Sequence, residues 1–205
     1  ELKWMGIDAV TTASNHSFDF SEGGFLTTLQ HCKDLDLPHA GGGRNIDEAR
    51  SPAYVDSARG RVAVIGTTST FSEQSRAGAG RPDFSGRPGV NALRHNLVHH
   101  VEREFFDSLQ RGMEALGYKD IQDARRSFGF RGLEEAKHET TEIEFLENKF
   151  SLGEEFGVST SVNQDDLDGM AKWIRGATKQ ADWVVYGAHC HESGNTGEFH
   201  GITRV

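Results

Sequence analysis

The stretch Asp182-Trp183-Val184-Val185-Tyr186-Gly187-Ala188 constrains the fold of this chain more than any other. It is an almost unbroken run of strand-forming residues, and a strand of that kind belongs in a sheet covered on both faces. It leads directly into His189-Cys190-His191-Glu192, a polar and reactive cluster just past the strand's carboxyl end. In open α/β sheets the carboxyl ends of strands fan apart, and ligands bind there.

A second unit of the same design opens the chain. Asp8 to Ala13 has the β-branched content of a short buried strand and is followed by the polar turn Ser14-Asn15-His16-Ser17. Ser21 with Glu22 offers a helix N-cap, and Phe25, Leu26, Leu29 and Cys32 recur at helical spacing. Pro38 and Gly41-Gly42-Gly43 break the chain, and Ile46 to Arg50 forms a short helical turn. Ala53-Tyr54-Val55 and Arg61 to Ile65 read as two strands around Arg59-Gly60. Strands alternating with helices predict an α/β sheet with helices on its faces.

The middle of the chain is patterned differently. From Thr67 to Gly89 it is rich in Ser, Gly, Arg and Pro, as in a functional lid or flexible loop. Val101 to Leu116 reads as an amphipathic helix with Phe105, Leu109, Met113 and Leu116 on one face. Thr141 to Ser151 reads as a strand leading into a hairpin with Gly157 to Val162. A helix capped by Asn163 or Asp165 then carries Leu167, Met170, Ile174 and Ala177. The expected organisation is a core over 1–90 that includes the 67–90 loop, an α+β insertion or subdomain over 91–162, and a return to the core over 163–205.

Composition narrows the function. The 205 residues suit one large domain, or a core with an insertion. A formal charge of −9 argues against nucleic acid, because phosphate backbones require clustered Lys and Arg. An acidic protein still binds anionic substrates where a metal supplies local positive charge. No apolar stretch approaches the roughly eighteen residues that a membrane span needs. Two cysteines are too few for a disulfide framework and do not assign a compartment. A cell-envelope or secreted location would require a signal upstream of Glu1.

The two polar clusters carry the chemistry. An Asn15 amide oxygen can ligate a hard cation, and the adjacent His16 can move a proton near neutral pH. Asp19 is close enough in sequence to orient that imidazole. The same residues also suit a plain polar turn in which Asn15 satisfies its own backbone. In an extended segment His189 and His191 point the same way and can converge on one metal, whereas a polar loop would leave them solvated. Imidazole suits several metals, so the ion is not named by these residues. Arg76, Arg81 and Arg87 in the glycine-rich loop fit an anionic substrate, or solvent.

These residues carry a resemblance. Gly6 to Val10, followed by Ala13-Ser14-Asn15-His16-Ser17-Phe18-Asp19-Phe20, resembles the Asn-Asn-His…Asp block of CapA-like proteins, named for capsule and poly-γ-glutamate synthesis. The likeness continues through His39 to Asn45, Glu48-Ala49, Arg61 to Gly66, Arg87 to Asn91 and Leu93-Arg94. It returns at Asn163, Asp165-Asp166-Leu167, Ala181 to Val185 and His189-x-His191-Glu192. The resemblance implies an α/β fold, a layered metallophosphoesterase-like sandwich of mixed sheets flanked by helices. It implies two divalent metals, with Mn, Zn, Fe and Mg all admissible. Asn15 would be a ligand and His16 the group that protonates a leaving group or stabilises developing charge. His189 would be a further ligand; His191 and Glu192 join it as candidates, although many relatives carry a Trp-Gly pair after that first histidine. Asn45 joins the three arginines as a candidate for binding an anionic small molecule or polymer. The family's opening aspartate-bearing strand and its closing Gly-His-x-His block are not found in the chain, so a fragment incomplete at both ends is expected.

Three functions fit this reading. The first is a metal-dependent hydrolase acting on an anionic cell-surface polymer. The second is a non-catalytic accessory protein that binds such a polymer on the same scaffold. The third is a mononuclear zinc amidase that uses His189, His191 and Glu192 alone.

Overall fold

The computed structural model describes residues 1–118, 120–121, 124, 141–146 and 148–191. In chain order the strands are β1 (Val10–Thr11), β2 (His39–Ala40), β3 (Gly42–Gly43), β4 (Ala53–Ser57), β5 (Gly60–Thr68), β6 (Gly89–Val90), β7 (His95–Val101), β8 (Glu142–Phe145), β9 (Asn148–Leu152), β10 (Gly157–Val162) and β11 (Trp183–His189). The α-helices whose bounds lie among the described residues are α1 (Ser21–Asp34), α2 (Ile46–Arg50), α3 (Arg103–Ala115) and α4 (Gln164–Ala177). The protein is thus a mixed α/β structure with several sheets flanked by helices, of the layered metallophosphoesterase-like kind.

The chain divides into two compact units. One comprises Glu1–His95 with the described residues from Val162 onward, and the other the described residues between Asn96 and Ser161.

In the first unit β4 and β5 form an antiparallel hairpin, and β11 lies parallel to β5 from Trp183↔Val62 to His189↔Thr68. Alternation decides what each side of this sheet meets. Val184 packs with Ile174 and Ala181 around a core of Ala63, Ile65 and Ala177, and the Tyr186 hydroxyl donates to Met170 Sδ. This is the face that α4 covers. Helix α4 starts where Asn163 caps it, its side chain accepting from the Asp166 N–H at 3.1 Å.

On the opposite face β1 and β2, paired in parallel, lie across the sheet at Gly66. A Cβ there would run into Thr11 Oγ1 and come within 3.2 Å of the Ala40 carbonyl. Gly41, at φ +88°, takes the other side of that crossing, where a Cβ would lie 2.7 Å from that of Ala13. Two glycines therefore let the strand that delivers Asn15 press against the strand beside His189. Fully buried Asn91 holds the crossing together. Its N–H donates to Gly41 O and its Nδ2 to Gly66 O, each at 2.8 Å, and its carbonyl accepts from the Thr68 N–H and the Thr67 hydroxyl. Helix α1 packs Phe25 and Leu29 against Val90, and Phe18 stacks on Phe25 with ring centroids 4.7 Å apart.

The second unit is a four-stranded sheet in the order β10-β7-β9-β8, with α3 packed on β9.

Several sequence expectations are corrected here. Strand β11 is not buried on both faces. Among the described residues it is the edge of a three-stranded sheet, and Trp183 and Val185 are 67% and 52% exposed. Ser21 does not cap α1: Phe20 holds that position without a side-chain cap bond, and Ser21 itself adopts φ +59°. Thr141 to Ser151 is two strands, not one, because Leu146 turns at positive φ and Asn148 Nδ2 donates to its carbonyl. β9 therefore pairs with β8 on one side and β7 on the other, while β10 lies beyond β7. Helix α3 buries Phe106, whereas Phe105 is 44% exposed and meets Phe156 edge-on. Gly42-Gly43 is a short strand paired with β6, not a plain loop.

Candidate functional site

The turn after β1 is tightly wound. Ser17 Oγ donates to Thr12 O at 2.6 Å, and Ser14 Oγ accepts from the His16 N–H and donates to Asn15 Oδ1. With Phe18 anchored on α1, this fixes where Asn15 and His16 point.

Asn15 Oδ1 lies 2.8 Å from His189 Nε2, across 174 positions of sequence. His191 Nε2 lies 3.0 Å from the same His189 nitrogen. On its other end the Asn15 amide faces His16 Nε2 at 3.3 Å, and His16 Nδ1 is 3.0 Å from Asp19 Oδ2. The amide orients the imidazole. With Nδ2 as donor, His16 Nε2 must offer a lone pair, so the His16 proton sits on Nδ1 and is donated to Asp19. The His16–Asp19 pair is largely solvated, and its value is orientation rather than stability.

The surroundings of His189 favour its neutral form. Burial lowers its pKa from the ordinary imidazole range, and the neighbouring His191 and His16 lower it further. One proton on His189 Nε2 cannot satisfy both the Asn15 oxygen and the His191 nitrogen. A single cation would accept all three lone pairs, and ligands at about 2.0–2.2 Å from one ion naturally lie about 3 Å apart. The donor chemistry therefore fits a divalent metal. Among the described residues no group of three or more His, Cys, Asp or Glu side chains converges on one point, so the set is two imidazoles and one amide. Glu192, the remaining sequence candidate, lies outside the described residues.

The anion-binding candidates have structural partners. Arg87 donates to the carbonyls of Arg76 and Glu73, Arg76 pairs with Glu73, and exposed Arg81 pairs with Asp83. Asn45 caps α2 by accepting from the Glu48 N–H, and its Nδ2 donates to Ser85 O.

Sequence reading missed two features beside the site. Thr70 Oγ1 accepts from the His191 N–H at 3.1 Å, and the Ser69 hydroxyl is buried without a hydrogen-bond partner. A Thr-Thr-Ser-Thr run closing an apolar strand was the available signal.

The fold and this site define a layered α/β protein whose polar cluster sits where two strands end side by side. More narrowly, the chain belongs to the bacterial capsule synthesis protein family PGA_cap, whose profile matches residues 1–197. It is 30% identical over 199 residues to the uncharacterized proteins y4sH and y4uA of Sinorhizobium fredii (strain NBRC 101917 / NGR234). Each match covers 97% of this chain, which spans 40% of the length of either relative. Among the described residues no helix is long and apolar enough to cross a membrane.

Proposed function

We propose that this chain carries part of the active centre of a metal-dependent hydrolase that acts on an anionic cell-surface polymer during capsule or poly-γ-glutamate metabolism. The observation that carries the reading is the meeting of Asn15 Oδ1, His189 Nε2 and His191 Nε2 beside the His16–Asp19 pair. Asn15, His189 and His191 would hold a divalent ion. When bound, such an ion activates water and polarises a phosphoryl or acyl oxygen.

The protein's own groups account for the proton. At Nε2 His16 takes up the proton given up by the attacking water, breaking its contact with the Asn15 amide, while Asp19 stabilises the resulting imidazolium through Nδ1–H. The proton then passes to the departing oxygen. A neutral His189 would offer its Nε2 lone pair to an ion once its remaining proton sits on Nδ1.

The test is hydrolysis of a chromogenic phosphate ester and of poly-γ-glutamate by the protein, with and without added Mn²⁺ or Zn²⁺. Metal-dependent turnover supports the reading; polymer binding with no turnover under any metal favours an accessory binding protein. The second reading is a mononuclear zinc amidase that uses His189, His191 and Glu192; the 3.0 Å approach of His191 to His189 supports it, and one ion per active protein would select it.

A further inference from the structure

We infer that Thr70 is a positioning residue that holds His191 against His189. The inference rests on reading Asn15, His189 and His191 as a cation site, but its first test does not.

The β5–β11 ladder ends at His189↔Thr68. Past that point the two segments run on side by side beyond the ladder. The Ser69 N–H still donates to His189 O at 3.0 Å, but the next link is made by a side chain, Thr70 Oγ1 accepting from the His191 N–H. His191 is exposed, and this bond ties its backbone to the loop that follows β5.

Thr70 is itself held from below. The Thr68 hydroxyl donates to Thr70 O at 2.7 Å and accepts from the Thr70 N–H at 3.2 Å, closing a tight side-chain turn. Thr68 is fully buried; its N–H donates to Asn91 O, and its carbonyl accepts from the Leu93 N–H. Constraint therefore passes from the buried strand crossing through Thr68 and Thr70 to the backbone of His191. An imidazole on a free strand end would sample many directions, and one whose backbone is pinned samples few. That difference is what keeps two imidazole nitrogens 3.0 Å apart.

Thr70→Val keeps the β-branched shape and removes only the hydroxyl, and Thr70→Ser restores it. In metal-free protein with ¹³C-labelled histidine, we expect the ring-to-ring NOE between His189 and His191 to disappear in Thr70→Val and persist in Thr70→Ser. By calorimetry with Zn²⁺, Thr70→Val should raise Kd about 10–100-fold, as losses of residues that orient ligands do. In a His191→Ala background the same change should have no further effect, because the two act through one path. A ring contact that survives in Thr70→Val, or an equal loss of zinc affinity in the His191→Ala background, overturns the assignment. If Thr70→Val abolishes the ring contact but the wild type binds no zinc, Thr70 keeps its role and the metal reading falls.

Discussion

At the residue scale, the Asn15 amide links the two halves of the candidate site, its oxygen to His189 and its nitrogen to His16. This makes distinct roles separable by experiment. On the proposed reading, His16→Ala should lower turnover by about 10²–10⁴-fold while metal content is preserved, since a proton-transfer group acts in the transition state without holding the ion. His189→Ala should lower both, and Asp19→Asn should resemble a mild His16 change. Elemental analysis beside the hydrolysis rate decides; His16→Ala protein that loses its metal would make His16 a ligand instead. A second residue-scale prediction concerns Asp166. Burial pushes its carboxyl up, but hydrogen bonds and charge from Arg94, with Arg50 nearby, more than reverse this and leave it below the ordinary aspartate value. Both Arg50 and Asp166 are nearly buried, with Asp166 Oδ1 accepting from Arg50 Nη2 at 3.0 Å and Oδ2 from Arg94 Nε at 2.7 Å. Asp166→Ala should therefore cost about 3–5 kcal/mol, because it strands buried guanidinium charge. A carboxyl with a depressed folded pKa contributes its full stability above the unfolded value and loses it as pH falls through the folded one. The wild type should accordingly lose melting temperature as pH drops below about 4, and Asp166→Asn should flatten that slope in calorimetric scans.

At the scale of elements, the crossing of β1–β2 over β5 decides whether Asn15 reaches His189. Gly66→Ala places a methyl group against Thr11 and the Ala40 carbonyl. We expect about 1–3 kcal/mol of destabilisation, typical of overpacking, together with weaker Zn²⁺ binding even though the site lies beyond β1. A urea midpoint and calorimetry would show both, and unchanged zinc binding would separate the crossing from the site. The sheet edge makes the opposite prediction. Trp183 projects from β11 and is 67% exposed, so Trp183→Ser should shift stability by no more than about 0.5 kcal/mol. A larger loss in the urea midpoint would mean that this face is covered in solution. The apolar run of β11 was legible, but its burial was not. A run of Trp, Val and Tyr reads alike in a central strand and in an edge strand, and only the pairing order β11-β5-β4 separates them.

At the scale of the whole molecule, Asn15, His189 and His191 would be a thin ligand set for the proposed ion, since two imidazoles and an amide contribute no negative charge. The isolated chain should bind one divalent ion weakly and turn over little substrate; calorimetry showing tight binding of a second ion would contradict this. Much of the architecture follows from local pattern alone. The strand before Asn15, the spacing of Phe25, Leu29 and Cys32, the Asn163 cap and the strand entering His189 are all written in neighbouring residues, because helix and strand periods act over a few positions. Membership of the capsule-synthesis family was legible for the same reason, in short blocks taken in order. What only the tertiary structure decided depends on register between distant segments. The 2.8 Å approach of Asn15 to His189, the lacing of Thr70 to His191, the ion pairs on Asp166 and the open face at Trp183 all follow from the order in which strands lie together. A chain's local period says which side of a strand is apolar, but not which neighbour will stand beside it.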